Sequence, residues 1–230
     1  MEIDNSRNLL IDADDTLWEN NVYYERVIHQ VLVLLRHNGV DVAGFRAHLD
    51  ETERERIPVH GYGTVHFTHS LVETVQRYLP EDADHDLPSQ VEQLSLSILH
   101  HPLEILDGVP ETLAYLSLRH QLFLVTKGNR QEQSRKIRES NLQDYFHGIE
   151  ILPEKNAQAY TQILSRYEWE GTNCWMIGNS PRSDINPALA AGMHAVYIPH
   201  PHTWTLEHEE PAVHPHLLEL EKFSDLRRHF

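Results

Sequence analysis

The chain has little of what would place it among disulfide-rich, membrane or low-complexity proteins. Its 230 residues include a single cysteine, Cys174, so no disulfide can form within the chain. That cysteine opens the apolar run 174–177, where we expect a small buried side chain rather than a nucleophile. No apolar run approaches the roughly 20 residues that a transmembrane helix needs. The composition, 40% hydrophobic and 23% charged, is that of a globular protein.

Basic residues are also few. The chain has 19 lysines and arginines against 35 aspartates and glutamates, which gives a formal net charge of −16. Nucleic acids and anionic membranes bind proteins through basic surface, so we expect neither as a partner. The 18 histidines show no metal-ligand spacing such as His-Glu-x-x-His. Residues 1–5 are acidic and lack the basic and apolar parts of a secretory signal, so the expected location is the cytoplasm.

The most informative segment is 8–18, where an apolar run ends in two closely spaced carboxylates. Asn8–Ile11 predicts a buried parallel strand, and Asp12 and Asp14 follow at the edge where open α/β sheets bind their ligands. Two carboxylates in one small site repel each other unless a divalent cation or a shared proton offsets their charge. For this stretch alone, the alternative is an acidic turn in which Asp14 or Asp15 caps the next helix.

Four further apolar runs predict strands at 121–126, Gly148–Leu152, 174–177 and 195–198. Helical patterns follow all of these strands except the last. Asn129 and Asn156 are predicted helix N-caps, and Ser183 precedes a predicted short helix that ends at Gly192. The alternation predicts an α/β fold with a Rossmann-like parallel sheet flanked by helices.

The interval between the first and second strands shows helical patterns and no convincing strand. We therefore predict an inserted α-helical cap domain at 18–105, with a catalytic core formed by 1–17 and 106–230. Apolar stripes predict helices around 24–35 and 68–79, and Ser89 is the predicted cap of a third helix.

A break in the helical pattern between Arg56 and Thr64 predicts a turn within the cap. The surrounding segment 59–70 is the candidate for facing a substrate, because it combines glycines with aromatic and histidine side chains. His60, His66 and His69 could equally be solvated surface residues.

Polar residues also follow the later strands. They are Thr126, Lys127, Gly128 and Asn129 after the second strand, Lys155 after the third, and the segment 178–184 after the fourth. Thr126 and the backbone amides near Gly128 can hydrogen-bond phosphate oxygens, while Lys155 can supply positive charge. Asp184 can help to hold a metal ion. Each group alone is typical of an ordinary turn, so the indication comes from their combination and order.

In this order the four groups resemble the motifs of the haloacid dehalogenase superfamily, in its phosphatase branch with an inserted helical (C1-type) cap. Residues 12–16 match the first motif, Thr126 the second, Lys155 the third and residues 178–184 the fourth. The resemblance implies a Mg²⁺-dependent phosphatase that hydrolyses a small phosphomonoester, such as a nucleotide monophosphate or a sugar phosphate. It implies that Asp12 forms an aspartyl phosphate while Asp14 serves as general acid and base.

The resemblance also implies which residues act in catalysis, metal binding and phosphate binding. The catalytic residues would be Asp12, Asp14, Thr126 and Lys155. The metal ligands would come from Asp12, the backbone carbonyl of Asp14, Asn179 and Asp184. The substrate and phosphate groups would be bound by Thr16, Thr126, Lys127, Gly128, Asn129 and Lys155.

Two positions depart from the usual family pattern. Asp15 stands where glycine is usual, and we expect its side chain to point away from phosphate or to reinforce the turn. Asn179 stands where an aspartate usually binds magnesium. A neutral amide oxygen should lower metal affinity unless Asp184 enters the coordination shell or adds negative charge just outside it.

Three other functions stay open from the sequence. A haloacid dehalogenase would expel halide and would need no proton donor at Asp14. A phosphomutase would need a phosphoenzyme that outlives the reorientation of its sugar phosphate. A binding or regulatory module that lost turnover would explain Asn179, but it would gain little from two mutually repelling acids. The sequence does not predict an oligomeric state.

Overall fold

The computed structural model describes residues 6–81 and 84–230, so the expectation about a secretory signal in residues 1–5 lies outside the described residues. The chain forms two compact units, one of Met1–Glu19 with Leu103–Phe230 and the other of Asn20–Pro102. The predicted boundaries had placed Trp18 and Ile105 in the insertion. They instead pair with each other in the first unit, where Trp18 is fully buried.

The first unit is built on a parallel sheet, as predicted. Its six strands lie in the order β3-β2-β1-β4-β5-β6, and every neighbouring pair is parallel. The strands are β1 (Asn8–Ile11), β2 (Gln121–Lys127), β3 (Gly148–Leu152), β4 (Cys174–Gly178), β5 (His194–Tyr197) and β6 (Leu217–Glu219). The strand order changes direction at β1, so the carboxyl end of β1 is the place where such sheets bind ligands.

The described residues contain eight α-helices. They are α1 (Asn21–His37), α2 (Phe45–His60), α3 (Thr64–Tyr78), α4 (Leu87–Leu96), α5 (Val109–Ser117), α6 (Arg130–Ser140), α7 (Ala157–Tyr167) and α8 (Asn186–Ala190). The first four form the helical insertion, Asn20–Pro102, and the others belong to the unit with the sheet.

Alternate residues of β1 pack into different cores. Leu9 and Ile11 share a cluster with buried residues of α5 and α6, whereas Leu10 packs with buried residues of α7 and α8. Helices therefore cover both faces of the sheet, and this explains why β1 reads as a continuous apolar run. Cys174 lies in the second of these cores, and burial raises the pKa of its thiol to about 11. The prediction of a buried, unreactive cysteine is consistent with this environment.

Two of the three predicted caps are confirmed. The Asn129 side chain accepts hydrogen bonds from the backbone amides of residues 131 and 132, and that of Asn156 accepts one from residue 159. Ser183 precedes a short helix, α8, as predicted, and it lies inside a π-helical turn, Pro181–Ile185. The capping hydroxyl is that of Ser180, which accepts the Ser183 amide at 2.9 Å.

The helical insertion has a core of its own, with Val31, Leu35, Leu49, Leu71 and Val75 buried inside it. The predicted helical stripes correspond to α1 and α3. The prediction missed α2, a largely polar helix that continues through Pro58 to His60. The prediction that Ser89 caps a helix is wrong, because α4 already begins at Leu87. No helix in the described part of the chain is both long and apolar enough to cross a membrane.

The C-terminal part of the chain adds an unpredicted edge strand, β6, beside β5. A short 3₁₀ segment, Thr205–Glu207, precedes this strand, and a second one, Phe223–Arg228, follows it. Leu206 and Glu207 of the first segment are buried. The chain therefore returns to the sheet after β5 instead of extending into solvent.

Candidate active site

Asp12 is the centre of the site, because it is the first residue beyond the central strand β1. Its amide donates to the Ile177 carbonyl at 2.9 Å, which continues the strand pairing and fixes its backbone. Its carboxylate is buried and accepts hydrogen bonds from the Lys155 ammonium and from the Thr16 hydroxyl, the latter at 3.0 Å. The structure thus brings together three of the residues that the sequence assigned to the first and third motifs.

Lys155 bridges two buried carboxylates. Its Nζ contacts Asp12 and lies 2.7 Å from Oδ1 of Asp184, and its side chain is only 2% exposed. Burial alone would lower the pKa of Lys155, but the two carboxylates outweigh it and raise the pKa. Burial raises the pKa of Asp12 to about 7; Lys155 opposes this shift and Asp184 adds to it. With both carboxylates ionised, the buried cluster carries one net negative charge, which an additional cation would offset.

The oxygen donors at this cluster fit a magnesium ion. Nδ2 of Asn179 donates to the Thr203 hydroxyl at 3.0 Å, and its Oδ1 lies 3.3 Å from the Thr16 hydroxyl that contacts Asp12. The amide oxygen is therefore on the same side as the Asp12 carboxylate. Carboxylate and amide oxygens are the donors that Mg²⁺ prefers, so Asp12 and Asn179 are suitable ligands.

Asp184 has both carboxylate oxygens engaged. Oδ1 accepts from Lys155, and Oδ2 accepts from the backbone amide of Ser180 at 3.0 Å. Of the two possibilities that the sequence left open for Asp184, this arrangement favours negative charge beside the metal over direct coordination. Gly178 makes the arrangement possible, because a Cβ at this position would lie 2.2 Å from Oδ2 of Asp184.

Asp14 has surroundings different from those of Asp12. Its carboxylate accepts hydrogen bonds from Nε1 of Trp18 at 2.7 Å, from Nε2 of Gln133 at 2.7 Å and from Nζ of Lys136 at 2.8 Å. Burial would raise the pKa of Asp14, but Lys136 and these hydrogen bonds outweigh it and lower the pKa. A carboxyl group in this setting is ionised, so service as a general acid requires a change in these contacts.

Sequence reasoning missed Gln133 and Lys136. They lie three residues apart on α6 and therefore share one side of the helix. Gln133, Ile137 and Ser140 are the buried residues of this helix. The signal was a polar residue, Gln133, on the buried side of the helix after the second motif, with Lys136 one turn further along.

Asp15 adopts the left-handed backbone conformation, with φ of 61°. This explains why glycine suits the position, and aspartate is among the residues that tolerate it best. Asp15, Glu19 and His200 place potential metal-binding atoms within 4.8 Å of one another. Nδ1 of His200 also accepts the His202 amide at 3.3 Å, so the histidine already has a structural partner.

The structure gives different partners to several groups predicted to bind phosphate. The Lys127 ammonium binds Glu207 and Ser183, the Gly128 amide donates to the Leu152 carbonyl, and Asn129 caps α6. Thr16 binds Asp12, while Thr126 is buried at the end of β2. For Lys127, phosphate binding would require loss of the Glu207 contact, which the sequence gave no reason to expect.

The cap histidines lie close together within the helical insertion. The ring centroids of His60 and His66 are 5.9 Å apart, and those of His66 and His69 are 6.4 Å apart. A role for them in substrate binding stays a prediction.

Comparison with protein families agrees with the fold. The model of the haloacid dehalogenase-like hydrolases matches residues 7–192, which include all four motifs. The chain therefore belongs to the haloacid dehalogenase-like hydrolase family. The comparison with curated proteins found no match.

Several solved structures share the fold. A haloacid dehalogenase-like family hydrolase from Xanthomonas campestris is 29% identical, with a TM-score of 0.86 over 100% of this chain and 92% of that chain. The HAD-hydrolase YfnB from Bacillus subtilis, in a crystal form bound to magnesium, is 16% identical, with a TM-score of 0.68 over 97% and 98% of the two chains. L-2-haloacid dehalogenase from Xanthobacter autotrophicus is 13% identical, with a TM-score of 0.65 over 97% of each chain. The last two likenesses show the fold alone, and they include both a magnesium-bound hydrolase and a dehalogenase.

Proposed function

We propose that this hydrolase is a Mg²⁺-dependent phosphatase that cleaves a small phosphomonoester through an aspartyl phosphate on Asp12. The observation that carries the proposal is the second carboxylate, Asp14, held in its own polar environment next to the buried Asp12–Lys155 pair. Phosphate ester hydrolysis needs a group that handles protons besides the nucleophile, whereas dehalogenation needs none for its leaving halide.

In the first step, a carboxylate oxygen of Asp12 forms a bond to phosphorus, and the bond from phosphorus to the ester oxygen breaks. The departing oxygen takes a proton from Asp14, which must first gain that proton and release one of its present donors. In the second step, Asp14 accepts a proton from water as the water oxygen bonds to phosphorus, and the bond from phosphorus to the Asp12 oxygen breaks. Inorganic phosphate leaves, and the Asp12 carboxylate is restored.

Lys155 supports this chemistry by reducing the repulsion between Asp12 and an anionic substrate. Its fixed position between Asp12 and Asp184 also orients the nucleophile. Magnesium would be held by Asp12, Asn179 and the backbone carbonyl of Asp14. When bound, it would supply further positive charge toward the phosphate oxygens.

For the substrate, we propose a small phosphorylated metabolite. The support is the helical insertion Asn20–Pro102, since inserted caps of this kind favour small molecules over protein substrates. The histidine-bearing segment 59–70 is the candidate for substrate selection.

The test is release of phosphate from p-nitrophenyl phosphate by the full chain. We expect turnover that D12N and a metal chelator abolish. D144N is the matched control, because Asp144 is exposed and in no predicted motif. Turnover that survives in D12N would refute the assignment of the nucleophile.

The second candidate is a haloacid dehalogenase. The neutral Asn179 at the expected metal position favours it. Halide release from a 2-haloacid that persists with chelator and in D14N, without any phosphatase activity, would establish this function instead.

A further inference from the structure

The segment Thr205–Glu207 brings a buried carboxylate to the loops that carry the second and fourth motifs. The Glu207 side chain is 11% exposed. Its Oε1 lies 2.5 Å from the Lys127 ammonium, and its Oε2 accepts the Ser180 hydroxyl at 2.5 Å. A buried carboxylate is stable only when it is paired and hydrogen-bonded, and Glu207 meets both conditions through these two contacts.

Lys127 is the partner from the second motif, since it directly follows Thr126 at the end of β2. Its Nζ also donates to the Ser183 hydroxyl at 2.9 Å and lies 3.4 Å from Glu154. The ammonium is therefore held between the end of β2, the loop after β4 and the Thr205–Glu207 segment.

The contacts of Ser180 continue toward the nucleophile. The Ser180 amide donates to Oδ2 of Asp184, whose other oxygen accepts from Lys155. Lys155 in turn contacts the Asp12 carboxylate. A continuous series of hydrogen bonds and ion pairs thus leads from Glu207 to the reacting group.

We propose that Glu207 is a positioning residue, which ties Lys127 to Ser180 and thereby holds Asp184 and Lys155 in place beside Asp12. The inference rests on the proposed phosphatase function and gives Lys127 a role other than binding phosphate. Glu207 does not touch Asp12, so it acts on the reaction only through Ser180 and Lys127. Its loss should impair turnover and metal use more than substrate affinity.

The experiment compares E207A and E207Q with E209A in steady-state hydrolysis of p-nitrophenyl phosphate over a series of Mg²⁺ concentrations. Glu209 is exposed and two residues away, so E209A is the matched control. We expect kcat to fall about tenfold or more in E207A, as for other residues that orient metal-site groups. The Mg²⁺ concentration for half-maximal rate should rise, with KM little changed, and E207Q should change in the same direction. E209A should match the wild type.

Amide hydrogen exchange gives a readout that does not depend on turnover. In E207A and E207Q, residues 180–184 should exchange faster than in the wild type and E209A. Folded E207A and E207Q with wild-type kcat, Mg²⁺ requirement and exchange would overturn the proposal. If E207A fails to fold, unchanged kinetics and exchange in E207Q would overturn it.

D12N, assayed in parallel, separates the two hypotheses. Turnover that persists in D12N refutes the phosphatase mechanism, and exchange at 180–184 then decides the role of Glu207 alone. Loss of turnover in D12N with no effect of E207A or E207Q refutes only the role of Glu207.

Discussion

Asp12 and Asp14 are separated by one residue, yet different lysines bind their carboxylates. Lys155, after β3, contacts Asp12, whereas Lys136, on α6, contacts Asp14. Burial raises the pKa of Asp12 to about 7, while Lys136 and two further donors outweigh burial and lower the pKa of Asp14. One strand end therefore provides two carboxylates with distinct environments. Asp14 is held ionised, as a proton acceptor must be, whereas for Asp12 it is the contact with Lys155 that favours the ionised form a nucleophile needs.

K136M should raise the pKa of Asp14, because it removes the cation that favours the ionised carboxylate. If Asp14 acts as a base toward water, the acidic limb of the kcat profile should move to higher pH. The measurement is kcat for p-nitrophenyl phosphate across the acidic and neutral range. K136R keeps the charge and should leave the limb near its wild-type position. If kcat of the wild type and of K136M fell at the same acidic pH, that result would contradict a role for Lys136 at Asp14.

D12N should gain stability relative to the wild type as pH rises from 3.8, the ordinary pKa of aspartate, to about 7, the pKa of folded Asp12. In this range the folded protein holds a proton on Asp12 that the unfolded chain has lost. The contribution of Asp12 to the free energy of unfolding of the wild type therefore falls as pH rises through the window. Asparagine cannot titrate, so the difference between D12N and the wild type should grow. Urea unfolding at several pH values tests this, and a constant or shrinking difference would contradict it.

N179D should lower the Mg²⁺ concentration needed for half-maximal rate, by about tenfold, because a carboxylate replaces a neutral amide oxygen.

D184N should reduce turnover, because it removes one of the two anions that contact Lys155. Metal titrations of phosphatase activity measure both effects. Unchanged metal dependence and turnover in D184N would refute the role assigned to Asp184.

G178A should reduce kcat by about a hundredfold, because the new Cβ would displace the Asp184 carboxylate. G39A is the control, since a Cβ at Gly39 meets no atom within 4 Å although φ is 75°. We expect G39A to lose only about 1–2 kcal/mol of stability, from backbone strain, and to keep full activity. Equal activity in the two variants would show that the contact between Gly178 and Asp184 is unimportant.

The sequence predicts most of the sheet because its central strands, β1, β2 and β4, are largely buried and appear as apolar runs. The edge strand β6 was missed, since Leu217–Glu219 is short and only partly buried. Helix α2 was missed because its sequence is largely polar and contains Pro58. Both elements depend on packing partners that local patterns do not reveal.

Some residues of the site were likewise predicted from the sequence, and others were not. Asp12, Thr16, Lys155 and Asp184 lie together, as expected from residues at the carboxyl ends of neighbouring parallel strands. Lys136 and Glu207 could not be assigned from sequence. Lys136 contacts Asp14 and Glu207 contacts Lys127 only because folding brings together residues that are far apart in the chain. Asp14 is therefore paired with a lysine and Lys127 with a carboxylate, and their motifs alone do not predict these partners.

The most direct test of the covalent mechanism is rapid quenching in acid during turnover of a phosphomonoester, followed by mass spectrometry of the peptide that contains Asp12. We predict one phosphoryl group on Asp12 in the wild type and none in D12N. No detectable adduct on Asp12, together with undiminished hydrolysis in D12N, would contradict the mechanism.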